Sequence, residues 1–182
     1  MRQIRIVACV LGLMAVMVAN AALAQGPPPM PKAGPEQQRL HYFVGQWKHE
    51  GEMKASPWGP AGKFSSTEDA HMLGDFFLVL HSKGTGPMGA MTEETILGYD
   101  DKQKAYTYDA FNSMGQHEKS TGQVSGKTWT WTSDDEYGGK MVKGKFVLNE
   151  VSPTSYTYKL DTSTDDGKTW ANMFEGKATK VK

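Results

Sequence analysis

The sequence predicts an all-β protein: one antiparallel up-and-down barrel of about ten strands, with a short helix on its N-terminal side. Three observations lead there. From Gly45 onward, short runs dense in Thr, Tyr, Phe, Trp and Val are separated by Gly, Asp, Asn and Ser, the texture of strands joined by tight turns. Several runs alternate: Trp129 and Trp131 share a face against Thr128, Thr130 and Thr132, as Tyr106, Tyr108 and Ala110 share one, and Tyr156, Tyr158 and Leu160 another. No strand–helix–strand pattern interrupts the series, and consecutive antiparallel strands remove their exposed edges by closing on themselves. A two-sheet sandwich is the alternative. No repeat of about 20 to 50 residues is visible, which argues against a propeller.

The first element is not part of that fold. Arg2 and Arg5 give a positive start, an uncharged apolar run follows from Ile6 to Ala19, and Ala22-Leu23-Ala24 supplies a small-x-small cleavage pattern. Residues 1–24 therefore read as a cleavable signal peptide, and the expected location is periplasmic or secreted. The run is shorter than the roughly 20 apolar residues that span a bilayer, so no stable membrane insertion is expected after cleavage. The single cysteine, Cys9, lies inside the leader, so the mature chain has neither disulfides nor thiol chemistry. Of 182 residues, 20 are basic and 20 acidic, and two of the basic ones fall in the leader. So even a balance gives no electrostatic footing for a nucleic-acid partner.

Residues 25–35 are rich in Pro and Gly and read as an extended tether; the barrel domain follows over 36–182. Pro35 suits the first turn of a short helix, with Glu36 at its positive end and Leu40, Phe43 and Val44 turned inward. Strands are expected over 45–54, 62–72, 75–83, 91–99, 104–111, 116–124, 127–133, 140–149, 154–161 and 169–179. Asp100-Asp101, Ser125-Gly126, Gly138-Gly139 and Asp166-Gly167 mark turns between them. Phe76-Phe77-Leu78-Val79-Leu80 shows no alternation, which predicts a strand covered on both faces, by the helix or by a second copy of the chain.

At the entrance to the first strand, Gly45 lets the backbone turn closely and Trp47 plugs one end of a barrel. The run Leu40-x-x-Phe43-Val44-Gly45-x-Trp47-x-x-x-Gly51 resembles the opening of a lipocalin-like, calycin-type barrel, and especially the bacterial family catalogued as domain of unknown function 1579. Leu97-Gly98-Tyr99-Asp100, Tyr106, Phe111 to Gly115, and Tyr156 to Glu175 resemble later segments of that family, so the similarity spreads over about residues 36–180. The resemblance implies the barrel and leaves the activity open. Barrels similar to this one include the nitrobindins, which carry haem on a histidine of a late strand; this chain has no histidine after His117, and no cofactor is expected.

Trp47, Tyr99, Tyr106, Tyr108, Trp129, Trp131, Tyr156 and Tyr158 form the candidate ligand-binding set, an apolar lining whose hydroxyls and indole N–H groups fix orientation. The same residues would equally serve to fill a small barrel. His49, His71, His81 and His117 fall on different strands, and with Glu68, Glu93 or Glu94 two or three imidazoles could converge on a metal. None has close ligand spacing, and no metal site is expected. Glu93 and Glu94, as strand neighbours, point to opposite faces. Ser163-x-Asp165-x-Gly167-x-Thr169-Trp170 fits the Asp-box pattern, in a single copy, and reads as a hairpin device. No serine lies in a nucleophile elbow.

These features favour binding of a small apolar or amphipathic ligand inside the barrel, without assigning a catalytic residue. The alternatives are an enzyme using a buried pair drawn from His49, His71, His81, His117, Glu68 and Asp69, and an interaction module using the barrel exterior. A homo-oligomer through the Phe76–Leu80 run is one form of the latter.

Overall fold

In the computed structural model, which describes residues 30–57, 59–137 and 139–181, helix α1 (Pro35–Arg39) starts where the proline sets it. Gly34 N–H donates to the Gln37 side-chain oxygen at 2.9 Å, Glu36 sits in the first turn and Arg39 in the last. A 3-10 turn over Leu40–Phe43 follows and buries Leu40 and Phe43. The expected leader and the first part of the tether lie outside the described residues; Ala33–Lys182 forms one unit.

Ten strands follow: β1 (Gly45–Met53), β2 (Gly62–Leu73), β3 (Phe77–Gly86), β4 (Gly89–Asp100), β5 (Ala105–Asn112), β6 (His117–Ser125), β7 (Thr128–Tyr137), β8 (Lys140–Ser152), β9 (Ser155–Ser163) and β10 (Ala171–Lys180). Each pairs antiparallel with its sequence neighbours, and β1 pairs with β10 to close the barrel, Trp47 opposite Lys180. The up-and-down barrel stands, and the sandwich does not. Gly45 turns into β1 at φ +121°, a backbone conformation that side-chain-bearing residues rarely adopt.

Two expectations are corrected. Strand β7 runs past its expected end at 133 through Asp134-Asp135-Glu136, because Asp134 pairs across the ladder with Lys143 and accepts a hydrogen bond from its Nζ at 3.0 Å. Within the chain, the run Phe76–Leu80 is covered on one face only, not by the helix on the other. Leu78 is fully buried against the interior, whereas Phe77 is 45% exposed and Val79 lies beside His71 and Ile96 on the outer wall. Phe77 leans instead over Gly98 of β4, whose missing side chain leaves room for its ring.

The core lies at one end of the barrel. Trp47, Leu78, Leu97, Tyr106, Trp129, Leu148, Tyr156 and Ala178 meet Leu40 and Phe43 there, and aromatic edges seal the gaps: Phe43 to Trp129 at 5.0 Å, Trp47 to Tyr156 at 4.9 Å. Polar atoms in this plug are satisfied locally. Trp47 Nε1 donates to Phe43 O at 2.6 Å, Tyr106 OH to Glu36 O at 3.1 Å, and Trp129 Nε1 to Glu150 Oε1 at 2.6 Å. The Tyr42 hydroxyl reaches the Ser152 and Ser155 carbonyls at 2.8 and 2.9 Å, tying the segment before β1 to the β8–β9 turn.

Candidate functional site

Residues opposite one another in a ladder share a face, so the register fixes what lines the interior. Trp47, Glu68, Ser82 and Glu93 are successive partners across β1 to β4. Thr95 is opposite Ala110, and Ala110 opposite Glu118; Leu97 is opposite Tyr108, and Tyr108 opposite Ser120. On β7, Trp131 pairs with Phe146 and Asp135 with the buried Val142. Away from the plug, the inner wall is thus built from acids, hydroxyls and aromatic faces.

The deeper group joins His49 and Glu68. His49 Nε2 lies 3.7 Å from Glu68 Oε2, both side chains being nearly buried, and it has no hydrogen-bond partner among the described residues. Its ring packs on Tyr156 and Tyr158 at 5.9 and 5.7 Å. Ser82 Oγ donates to Glu68 Oε2 at 3.2 Å. The outer group centres on Glu93, whose Oε1 accepts from Thr95 Oγ1 at 3.3 Å and from the Tyr108 hydroxyl at 3.4 Å. Burial, with the charge of Glu118 adding to it, pushes the Glu93 carboxyl up to about 7. Burial also raises Glu118, with Asp135 as the neighbouring charge, and burial raises the Tyr108 and Tyr158 hydroxyls far above their usual range. Glu93 can therefore take up or release a proton near neutrality.

Glu118 points inward: surrounding protein atoms crowd its carboxyl, while the residue as a whole stays open to solvent. Solvent enters the barrel at this end. Trp131 is 5% exposed, and its Nε1 is buried with no acceptor among the described residues. A recess of about 560 Å³ over β5–β8 is lined mainly by outward-facing residues, among them Asp109, Lys119, Asp134 and Lys143, with Trp170 at its border.

All eight aromatic residues of the candidate set face inward, but they divide. Trp47, Tyr106, Trp129, Trp131, Tyr156 and Tyr158 belong to the buried core and Tyr99 and Tyr108 pack against it; of these, Tyr108 borders the acids Glu93 and Glu118, and Tyr158 borders His49. Of the candidate buried pairs, the barrel brings together His49 and Glu68 alone. His71, His81 and His117 lie on the outer wall with Asp69, where His81 contacts Glu94 and His117 lies 3.2 Å from Asp109. Glu93 and Glu94 do point to opposite faces. No group of three or more His, Cys, Asp or Glu among the described residues could hold a metal ion. The Asp-box segment is a hairpin device: Ser163 Oγ accepts from Gly167 N at 2.9 Å, Asp165 Oδ1 from Thr169 N at 2.9 Å, and Gly167 takes φ +84°. Sequence reasoning missed Ser82, Thr95, Glu118, Ser120 and Asp135. Parity alone would have found Asp135, an even number of residues after the inward Trp129 and Trp131.

These features define the class: a closed, ten-stranded antiparallel barrel of lipocalin-like form with one end plugged and a polar inner wall towards the other. The chain belongs to the family described as a protein of unknown function (DUF1579), whose model matches residues 32–180. No curated protein matches it. Among solved structures, it is similar to Rv2717c from M. tuberculosis at 13% identity and a TM-score of 0.58, over 83% of this chain and 100% of that one. It is also similar to the S-type phycobiliprotein lyase CPES from Guillardia theta at 12% identity and a TM-score of 0.54, over 84% of this chain and 99% of that one. At such identities the likeness is one of fold.

Proposed function

We propose that the protein is an exported, non-catalytic binder of a small apolar or amphipathic molecule held inside the barrel. One observation carries the reading: the inward-facing Glu118 is open to solvent, so the polar section of the interior is reachable from outside. Tyr108 stands within reach of the Glu118 charge, and the inner wall further carries the Trp131 and Tyr158 faces, with His49 Nε2 and Trp131 Nε1 left without a hydrogen-bond partner among the described residues. The remaining aromatic residues of the candidate set secure the plug that keeps the far end shut.

Native mass spectrometry of the purified protein, before and after exposure to a lipid and metabolite extract, tests the reading. A bound species, with a raised thermal midpoint, is the expected result. No bound species and no shift with any amphipathic probe would overturn it. Export rests on the composition of residues 1–24; N-terminal sequencing of the protein recovered from periplasm or medium is expected to begin at Gln25.

A second reading, an enzyme acting on a small molecule, is favoured by the His49–Glu68 pair with Ser82 beside it. Turnover of a bound molecule that is lost in His49→Gln, with binding retained, would carry it. Binding without any turnover in the native protein removes it.

A further inference from the structure

We propose that the inner wall is built for a small organic ammonium whose apolar part bears a hydrogen-bond-accepting oxygen. This deepens the binding reading and rests on it. Two independent features lead to the two halves of that ligand.

The first is uncompensated negative charge. Glu93 on β4, Glu118 on β6 and Asp135 on β7 face the interior, with Glu68 deeper on β2. The charges acting on Glu93 are those of Glu118 and Glu68, and the one acting on Glu118 is that of Asp135; every one of them opposes ionisation. The other titratable groups at inward positions among the described residues are His49, which stands against Glu68, the hydroxyls of Tyr99, Tyr106, Tyr108, Tyr156 and Tyr158, and, at the plugged end, Glu150, which Arg39 meets at 3.7 Å. Lys180, at the plugged end, spends its charge over the Trp47 ring at 4.9 Å. An ammonium seated between the carboxylates would relieve their repulsion, and the face of Tyr108, whose hydroxyl lies 3.4 Å from Glu93, would hold its alkyl groups.

The second is a donor with nothing to donate to. Trp131 Nε1 is buried without an acceptor among the described residues, beside Gly122 on the strand that also carries Glu118 and Ser120. An ammonium cannot satisfy an N–H group. A carbonyl or ether oxygen on the same molecule can.

Titration calorimetry at pH 8 with benzoylcholine, its neutral carbon isostere 3,3-dimethylbutyl benzoate, and benzyltrimethylammonium separates the terms. Benzoylcholine is expected to bind at least tenfold more tightly than the neutral isostere, and more tightly than the cation that lacks the ester. Glu93→Gln and Glu118→Gln should each cut the cation preference severalfold while leaving the affinity for the neutral isostere within twofold, which also shows that the variants are folded. Trp131→Phe should remove the advantage of the ester. Equal or tighter binding of the neutral isostere overturns the ammonium proposal and leaves the binding reading standing. If none of the three binds and the neutral dye Nile red does not bind either, both fall.

Discussion

The indole of Trp131 lies against Gly122 of the neighbouring strand so closely that a Cβ at position 122 would stand 2.6 Å from its Nε1. Gly122 is therefore the space that Trp131 occupies. Gly122→Ala must turn the indole away and disturb its stack on Trp129, where the rings lie 5.6 Å apart and 10° from parallel. Overpacking of this kind costs about 1–3 kcal/mol. Urea unfolding should show that loss together with a shift in tryptophan emission. Unchanged stability and emission would mean that the ring does not rest there.

Trp47 is fully buried and its N–H reaches Phe43 O at 2.6 Å, so it both fills the plug and ties the 3-10 turn to β1. Trp47→Phe keeps most of the ring but strands that carbonyl, and about 1–2 kcal/mol should be lost. Trp47→Ala also opens a cavity and should cost about 3–5 kcal/mol. Thermal denaturation of the two variants checks the ranking; equal effects would remove the hydrogen bond from the account.

Glu93 gives a pH signature whose sign follows from its raised pKa. Its carboxyl holds a proton up to about 7 in the folded protein, against an ordinary value of 4.5. The stability it lends is complete below 4.5 and is lost as pH rises through about 7. Glu93→Gln has no such loss, so the variant should gain on the native protein by at most about 3 kcal/mol between pH 4.5 and 8. Glu118 shares the titration, which broadens the curve. A stability difference that does not change with pH across that window would show that Glu93 is ordinarily solvated.

Asp165 behaves in the opposite sense. Hydrogen bonds from the Thr169 hydroxyl and backbone N–H, and from Ser163, lower its carboxyl from 3.8 to about 2. Its contribution is present above pH 3.8 and is lost as pH falls through about 2. Asp165→Ala should lower the thermal midpoint at pH 7, and the gap to the native protein should close between pH 4 and pH 2. Amide exchange should rise first in the β9–β10 hairpin.

The fold was legible because turn chemistry and alternation agree along the chain. Asp100-Asp101, Ser125-Gly126 and Asp166-Gly167 all lie at strand ends or in the turns between them, and the inward Trp129-x-Trp131 and Tyr156-x-Tyr158 mark their strands' inner faces. The candidate site was half legible. Hydrophobic patterning equates inward with apolar, and in the water-entered part of this barrel that equation reverses. On β4, Glu93 faces inward and Ile96 faces out, 42% exposed. A carboxylate inside and an isoleucine outside look, in one dimension, like the strand turned over. Only the register, carried from Tyr108 and Ala110 to Ser120 and Glu118, corrects it.

The closed topology also implies an order of events in time. Every ladder except β1–β10 joins strands adjacent in sequence, and such hairpins form in about 1–10 μs. The β1–β10 ladder must instead bring together residues as far apart as Trp47 and Lys180, so it sets the slow step of assembly. Tyr42 reaches the Ser152 and Ser155 carbonyls from just before β1, so the plug can seat only once those two strands have met. The arrival of native tryptophan fluorescence at Trp47 and Trp129 is thus a clock for ring closure.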